Sequence, residues 1–446
     1  MCIRNNLGLR GTLILMLAII TNCWALFCGM GLIMLGNGLQ GTLLGVRASL
    51  EGFSTTITGL VMSGYFMGLI LGCNIVPKMV RRVGHIRTFG ALASLASTAI
   101  LVQAVFVNPF AWCAMRIVTG FSYSGLFIVA ESWLNEASDN GTRGKLLSIY
   151  MLVSLGGMAG GQMMLNLWHP SSYELFVLAS LLISIALIPI LLSVARAPQF
   201  DVMENISIRQ LYRVSPLGVF GMLINGMCYG AIFGMGAVYG TEMGMSIQQV
   251  SIFMGALIVG GFVFQYPLGW LSDTVGRSLV IIISALAGAC AAIFAIYYTD
   301  TGLIHSVLIA CVGGLTMPLY SLCGVHTNDY LTPTQMVAAS GTLVLVSATG
   351  ATIGTPVTAL AMEYLGPAGF FGSLATMLLV ICLFAISRSI DRGHAKDERG
   401  KFVAMASTPL AVSLNPEVEL DELEAAVTED AEQVKESFEE LIEETR

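Results

Sequence analysis

The sequence predicts an all-α membrane protein of twelve transmembrane helices, arranged as two pseudo-symmetric six-helix bundles. Three observations carry that expectation. The chain is 55% hydrophobic and only 11% charged, against about 25% charged residues in a soluble domain, and its mean hydropathy is +0.79. Too few charges remain to cover a soluble surface of this size. Twelve apolar segments follow one another, each near the ~20 residues that cross a bilayer. The Lys and Arg residues between them alternate from side to side.

Arg4 and Arg10 precede the first apolar run, near 12–36. That run exceeds the roughly 7–15 residues of a signal-peptide core, so it reads as a retained first helix. The other segments lie near 55–77, 87–107, 110–134, 145–167, 173–194, 215–239, 248–270, 278–298, 303–327, 335–360 and 367–389. Most connections are short. The exceptions are 37–54 and a polar connector, 195–214, which separates a bundle over 1–194 from a second over 215–390.

With a cytoplasmic N-terminus, the even-numbered connections carry Lys78, Arg81, Arg82 and Arg87, then Arg143 and Lys145, then Arg196, Arg209 and Arg213, then Arg277. Arg388 to Lys401 follow the last helix, and the opposite side holds Arg47 alone. Lys and Arg beside membrane helices stay on the cytoplasmic side, so both termini are expected inside.

Traces of duplication link the halves. Phe27-Cys28-Gly29-Met30-Gly31 in helix 1 resembles Ile232-Phe233-Gly234-Met235-Gly236 in helix 7, and Arg82-Val83-Gly84-His85 after helix 2 matches Thr274-Val275-Gly276-Arg277 after helix 8. Repeats of this kind put a binding site near the midplane, between the halves. Glycines recur every fourth residue at Gly64, Gly68 and Gly72, at Gly226, Gly230 and Gly234, and as overlapping pairs over 156–161. Such rows permit close helix approach. They serve either static packing or faces that slide as the two halves move.

Gly269-Trp270-Leu271-Ser272-Asp273-Thr274-Val275-Gly276-Arg277 resembles the G-x-x-x-D-x-x-G-R loop of the major facilitator superfamily, and Arg116-Ile117-Val118-Thr119-Gly120 its R-x-x-x-G element. The resemblance covers residues 1 to about 392. Glu131-Ser132-Trp133-Leu134-Asn135, Arg143-Gly144 and Arg82-Val83-Gly84-His85-Ile86-Arg87 look more narrowly like the YcaD-type bacterial members. It implies a secondary transporter of the bacterial inner membrane, moving a small solute by alternating access and coupled to protons. It implies no cofactor, and names no substrate. Within the motif, Asp273 is expected to accept hydrogen bonds at the positive N-terminus of helix 5, latching the halves. Gly269 opens the motif, Gly276 allows the tight turn, and Arg277 supplies an interfacial charge. The first-half copy has Arg81 in place of the aspartate. A cytoplasmic charge network of Arg81, Arg82, Glu131 and Glu136 is expected there instead.

Arg116 falls inside helix 4. An arginine at that depth costs at least ~2.5–3.5 kcal/mol and normally faces the bundle interior. It is a candidate to attract an anionic solute or to tune a proton-binding carboxylate, or else it is structural. Glu131 is the candidate proton site, since a carboxylate withdrawn from water is a place where a proton is bound and released; membership of the charge network is its competing role. Asn22, Tyr123, Gln162, Asn166, Asn225, Tyr229, Gln265 and Tyr320 are candidates to line a cavity, or to bridge helices. No nucleotide-binding, metalloprotease or hydrolase motif occurs, no Cys/His metal spacing appears, and no basic surface suits a nucleic acid.

The net charge of −7 is misleading. Residues 416–446 carry −11, leaving a body of +4. Leu420, Val427, Val434 and Leu441 recur every seventh residue among acidic neighbours, the pattern of a helix with one apolar stripe. The tail is expected to bind the basic loops of its own chain or another protein, or to be a solvated end. A sensor or scaffold acting through this tail is the rival to transport.

Overall fold

The computed structural model describes residues 2–136, 143–192, 206–298 and 302–391; the acidic tail lies outside them. The described residues form helices and no strands. The spanning helices are α1 (Cys2–Leu50), α2 (Thr55–Val83), α3 (His85–Val105), α4 (Pro109–Glu136), α5 (Arg143–Met164) and α6 (Glu174–Leu192). A short connector helix, Ile208–Val214, follows. Then come α7 (216–242), α8 (Ile247–Val275), α9 (Arg277–Tyr297), α10 (303–328), α11 (Pro333–Leu365) and α12 (Ala368–Asp391). All twelve are long and apolar enough to cross a bilayer.

The helix α1 runs on through the stretch expected to be a connection. Among the described residues its apolar spanning part reaches Leu50, well beyond the expected end at 36. Gly36, Gly38, Gly41 and Gly45, with Asn37, Gln40 and Thr42, dilute the hydropathy there. Yet Gly36 packs on α6 and Gly38 on α5, so the segment is polar because it is inside the protein.

The packing pattern repeats between halves. α2 packs on α4, α1 on α5 and α6, and α3 on α4 and α6; six helices later, α8 packs on α10, α7 on α11 and α12, and α9 on α10 and α12. α2 and α8 each have 29 residues, and α3 and α9 each have 21. The turns repeat too. Gly52 and Gly244 precede α2 and α8 with φ of 75° and 70°, and Gly84 and Gly276 follow them with φ of 88° and 106°. Positive φ is open to glycine and costly to other residues, which fixes V-G-H and V-G-R as matching turns. The match between Phe27–Gly31 and Ile232–Gly236 does not survive: the first lies midway along α1, the second near the end of α7.

Between the halves, α2 meets α11, α5 meets α8, and α1 meets α7. Cross-half hydrogen bonds gather at the end bearing Gly52. Thr241 Oγ1 donates to Ser49 Oγ (2.9 Å), Asn166 Nδ2 to Ser251 Oγ (3.0 Å), and Thr55 Oγ1 to Glu242 (2.7 Å). Thr56 donates both its backbone N–H and its hydroxyl to Glu363 Oε2. Arg47 at this end pairs with Glu51 at 2.6 Å and donates to Pro170 O.

The regular glycine rows lie elsewhere. Gly68 and Gly72 meet α4, Gly157 and Gly161 meet α1, and Gly226, Gly230 and Gly234 meet α11. All are contacts within one half, so these rows cement each bundle and are not sliding faces between them. The outward faces are apolar: Leu181, Ile185, Ile188 and Leu192 on α6 are exposed, as lipid contact requires.

Candidate functional site

A cavity of about 190 Å³ lies between the halves, walled by α1, α2, α4 and α5 on one side and by α7, α8 and α10 on the other. Two helices lose regularity beside it. In α7 the segment Ala231–Met235 is π-helical, and α10 breaks between Thr316 and Leu319, at Met317-Pro318. Proline removes a backbone donor and clashes with the preceding turn, and single π-turns recur at functional sites. Phe233 and Met317, both lining residues, sit at these irregularities.

Arg116 projects from α4 into the cavity wall and is 4% exposed. Its Cζ stands 4.7 Å from the centre of the Tyr65 ring. Its Nε and Nη1 are buried and have no hydrogen-bond partner. The ring stabilises the face of the cation, but edge donors left unmade in an interior are costly.

The other polar side chains of the wall are largely occupied. Thr42 Oγ1 donates to Gln162 Oε1, and Gln162 Nε2 donates to Gly38 O at 3.0 Å. Asn37 is hydrogen-bonded to Tyr65. Gln265 Nε2 donates to Ser321 Oγ at 2.6 Å.

Of the residues singled out from sequence, Arg116, Gln162, Tyr229 and Gln265 line this cavity. Tyr123 is fully buried behind it, its ring 6.0 Å from that of Tyr65 and its hydroxyl without a partner. Asn225 is buried in α7 away from the cavity wall, and Tyr320 packs 6.4 Å from Tyr229. Asn166 bridges the halves as described above. The side chains of Asn22 and Glu136 lie outside the described residues. Sequence reading missed Asn37, Thr42, Tyr65 and Tyr150. The first two fell in the supposed connection, and tyrosines in apolar helices carry no signal of their own.

Glu131 is fully buried and accepts a hydrogen bond from Tyr150 Oη at 3.1 Å. Tyr150 itself lines the cavity. Arg81 and Arg82 are exposed at the end of α2, whereas Glu131 is buried.

In the loop motif, Gly269, Ser272 and Gly276 are buried. Arg277, itself buried, meets Asp329, just after α10, at 3.1 Å and lies 3.9 Å from Asp273. The arginine therefore ties the motif to its own half. The side chains at the start of α5, the expected partner of Asp273, lie outside the described residues. No group of three metal-ligating side chains occurs among the described residues.

The profile of the Major Facilitator Superfamily matches residues 26–327 and 219–416. The uncharacterized MFS-type transporter YcaD of Escherichia fergusonii is 25% identical over 366 residues, covering 81% of this chain and 94% of that protein. Among solved structures, the nucleoside transporter NupG superposes with a TM-score of 0.66 at 16% identity, over 83% of this chain and 99% of its own. A bacterial homolog of the human lysosomal transporter Spinster, inward-facing and occupied, gives 0.67 at 14% identity, over 83% and 98%.

Proposed function

Because the chain belongs to the major facilitator superfamily, whose members are transporters and not enzymes, we propose that it is a secondary active transporter working by alternating access, with its solute held at Arg116. One observation carries this reading. A guanidinium buried between the two halves keeps two donors unpaired at the wall of a cavity. A structural arginine at such a depth would have its donors satisfied by the protein.

The cross-half bonds at the Gly52 end support a state closed on that side. The distribution of basic residues assigns the Gly52 end to the exterior and both termini to the cytoplasm of a bacterial inner membrane, so the conformation is inward-facing. Proton coupling is assigned to Glu131. It is a buried carboxylate reached from the cavity through the Tyr150 hydroxyl. Asp273 is assigned to the latch on the cytoplasmic side, in the opposite conformation. The acidic tail is assigned to the basic loops of the same chain.

The test is solute counterflow in proteoliposomes, followed by uptake under an imposed pH gradient. Counterflow that Arg116→Gln abolishes, in protein that still folds, supports the reading. Counterflow unchanged in that variant refutes the role of Arg116. Uptake that ignores the gradient refutes coupling.

A further inference from the structure

We infer that the cavity selects a small organic monocarboxylate built on one flat, apolar ring. The inference rests on the transport reading for the role of the site, and its own content is the chemical class of the ligand.

Charge decides the first property. Arg116 is the one charged residue lining the cavity among the described residues. Its Nε and Nη1 face no protein acceptor, and Tyr65 covers its face without satisfying those edges. The nearest buried carboxylate along α4, Glu131, is engaged by Tyr150 and does not line the cavity. The missing counter-charge must come with the ligand. A carboxylate accepts charge-assisted hydrogen bonds from guanidinium donors. A dianion would bring a second charge into an apolar space with nothing to pair it, and a cation would meet Arg116 itself.

The walls decide the second. Phe66, Phe127 and Phe233 line the cavity with Met151, Met254 and Met317. Thioethers and ring edges make adaptable contacts with an aromatic body. Polyhydroxylated solutes fare badly here. Thr42, Gln162, Asn37 and Gln265 already bond to one another or to their neighbours, so a sugar's hydroxyls would leave water for few partners. Size agrees with a ring. A dry apolar cavity of roughly 150 Å³ takes benzene, and this one has about 190 Å³, enough for a ring and a carboxylate.

The experiment is calorimetric titration of the purified full-length chain in detergent. The probes are benzoate, benzamide, benzylamine, phthalate and glucose. Benzoate is expected to bind at least tenfold more tightly than each of the others. Arg116→Gln is expected to remove that preference. Benzamide binding as well as benzoate would overturn the inference, and so would tighter binding of phthalate, benzylamine or glucose. The wild-type comparison decides the matter by itself if Arg116→Gln fails to fold. Benzoate counterflow in proteoliposomes separates the two readings. Selective benzoate binding without counterflow supports the ligand class and refutes transport of it. Counterflow of a solute of another class, with no benzoate binding, overturns the ligand class and leaves transport standing.

Discussion

Gly59→Ala is expected to open the Gly52 end. Gly59 sits on α2 against α11 of the other half. A Cβ added there would overlap the Cβ of Ala359, with Pro356 Cα and Thr355 O each at 3.4 Å behind it. Carbon atoms rest ~3.5–4.0 Å apart, so α2 and α11 must part by about 1 Å or more. Neither a methyl group nor a proline-bearing backbone can turn aside. Inserting a methyl into a packed contact costs about 1–3 kcal/mol. That cost falls on the conformation in which α2 and α11 touch at this end and is relieved when they separate. A differential of that size shifts a two-state equilibrium by roughly 5- to 150-fold. The assay is the distance between spin labels at Tyr173 and Gln248, exposed positions in opposite halves near the Gly52 end. Gly59→Ala should raise the long-distance population. Adding Ala359→Gly, which removes the overlapped carbon, should restore the wild-type distribution. An unchanged distribution in the single variant, or no rescue in the double, would refute the reasoning.

Gly120→Ala would drive a Cβ into the backbone carbonyl of Tyr65, within one half; it should lower the melting temperature in detergent, by several degrees or more, in both transport conformations alike. Arg116→Lys keeps the charge but loses the planar fork, so folding by gel filtration should be unaffected while transport at equal expression falls at least tenfold. Glu131→Gln should leave solute affinity within about fourfold of wild type by calorimetry, yet remove the pH dependence of uptake. Truncation after Lys401 tests the tail: tail binding to the basic loops predicts altered transport or oligomer size, and no change in either would favour a solvated end.

The twelve spans and the paired turns at Gly84 and Gly276 were legible because lipid imposes long apolar runs and positive φ demands glycine. Arg116 was legible because a charge at depth is rare. The end of the α1 span was not. A hydropathy window averages over all faces of a helix, and α1 carries polar residues where it borders the cavity, so Asn37 and Thr42 read as a loop. Tyr65 and Tyr150 were invisible for a related reason. Their importance lies in what they touch on another helix, Arg116 and Glu131. Glu131 fell near a basic surface in the sequence, and only the facing of α4 decides that it points inward.

Arg116 and Glu131 share α4 and lie fifteen residues apart, a rise of ~22 Å at 1.5 Å per residue. Two unit charges at that separation interact by roughly 0.8 kcal/mol at an effective dielectric of 20, about fourfold in affinity. Direct attraction is therefore too weak for Arg116 to tune a proton on Glu131, or for the proton to expel an anion from Arg116. Coupling between them has to run through the change of conformation. Tyr150 is the element suited to carry it, because its ring borders the cavity while its hydroxyl holds Glu131. A solute that seats against Tyr150 and a proton that alters its bond to Glu131 bias the same side chain, on a helix that meets α8 of the other half. This separation is why Glu131→Gln is expected to spare binding and abolish coupling. A change in benzoate affinity well beyond fourfold in that variant would mean that the two charges communicate by a shorter route than α4 provides.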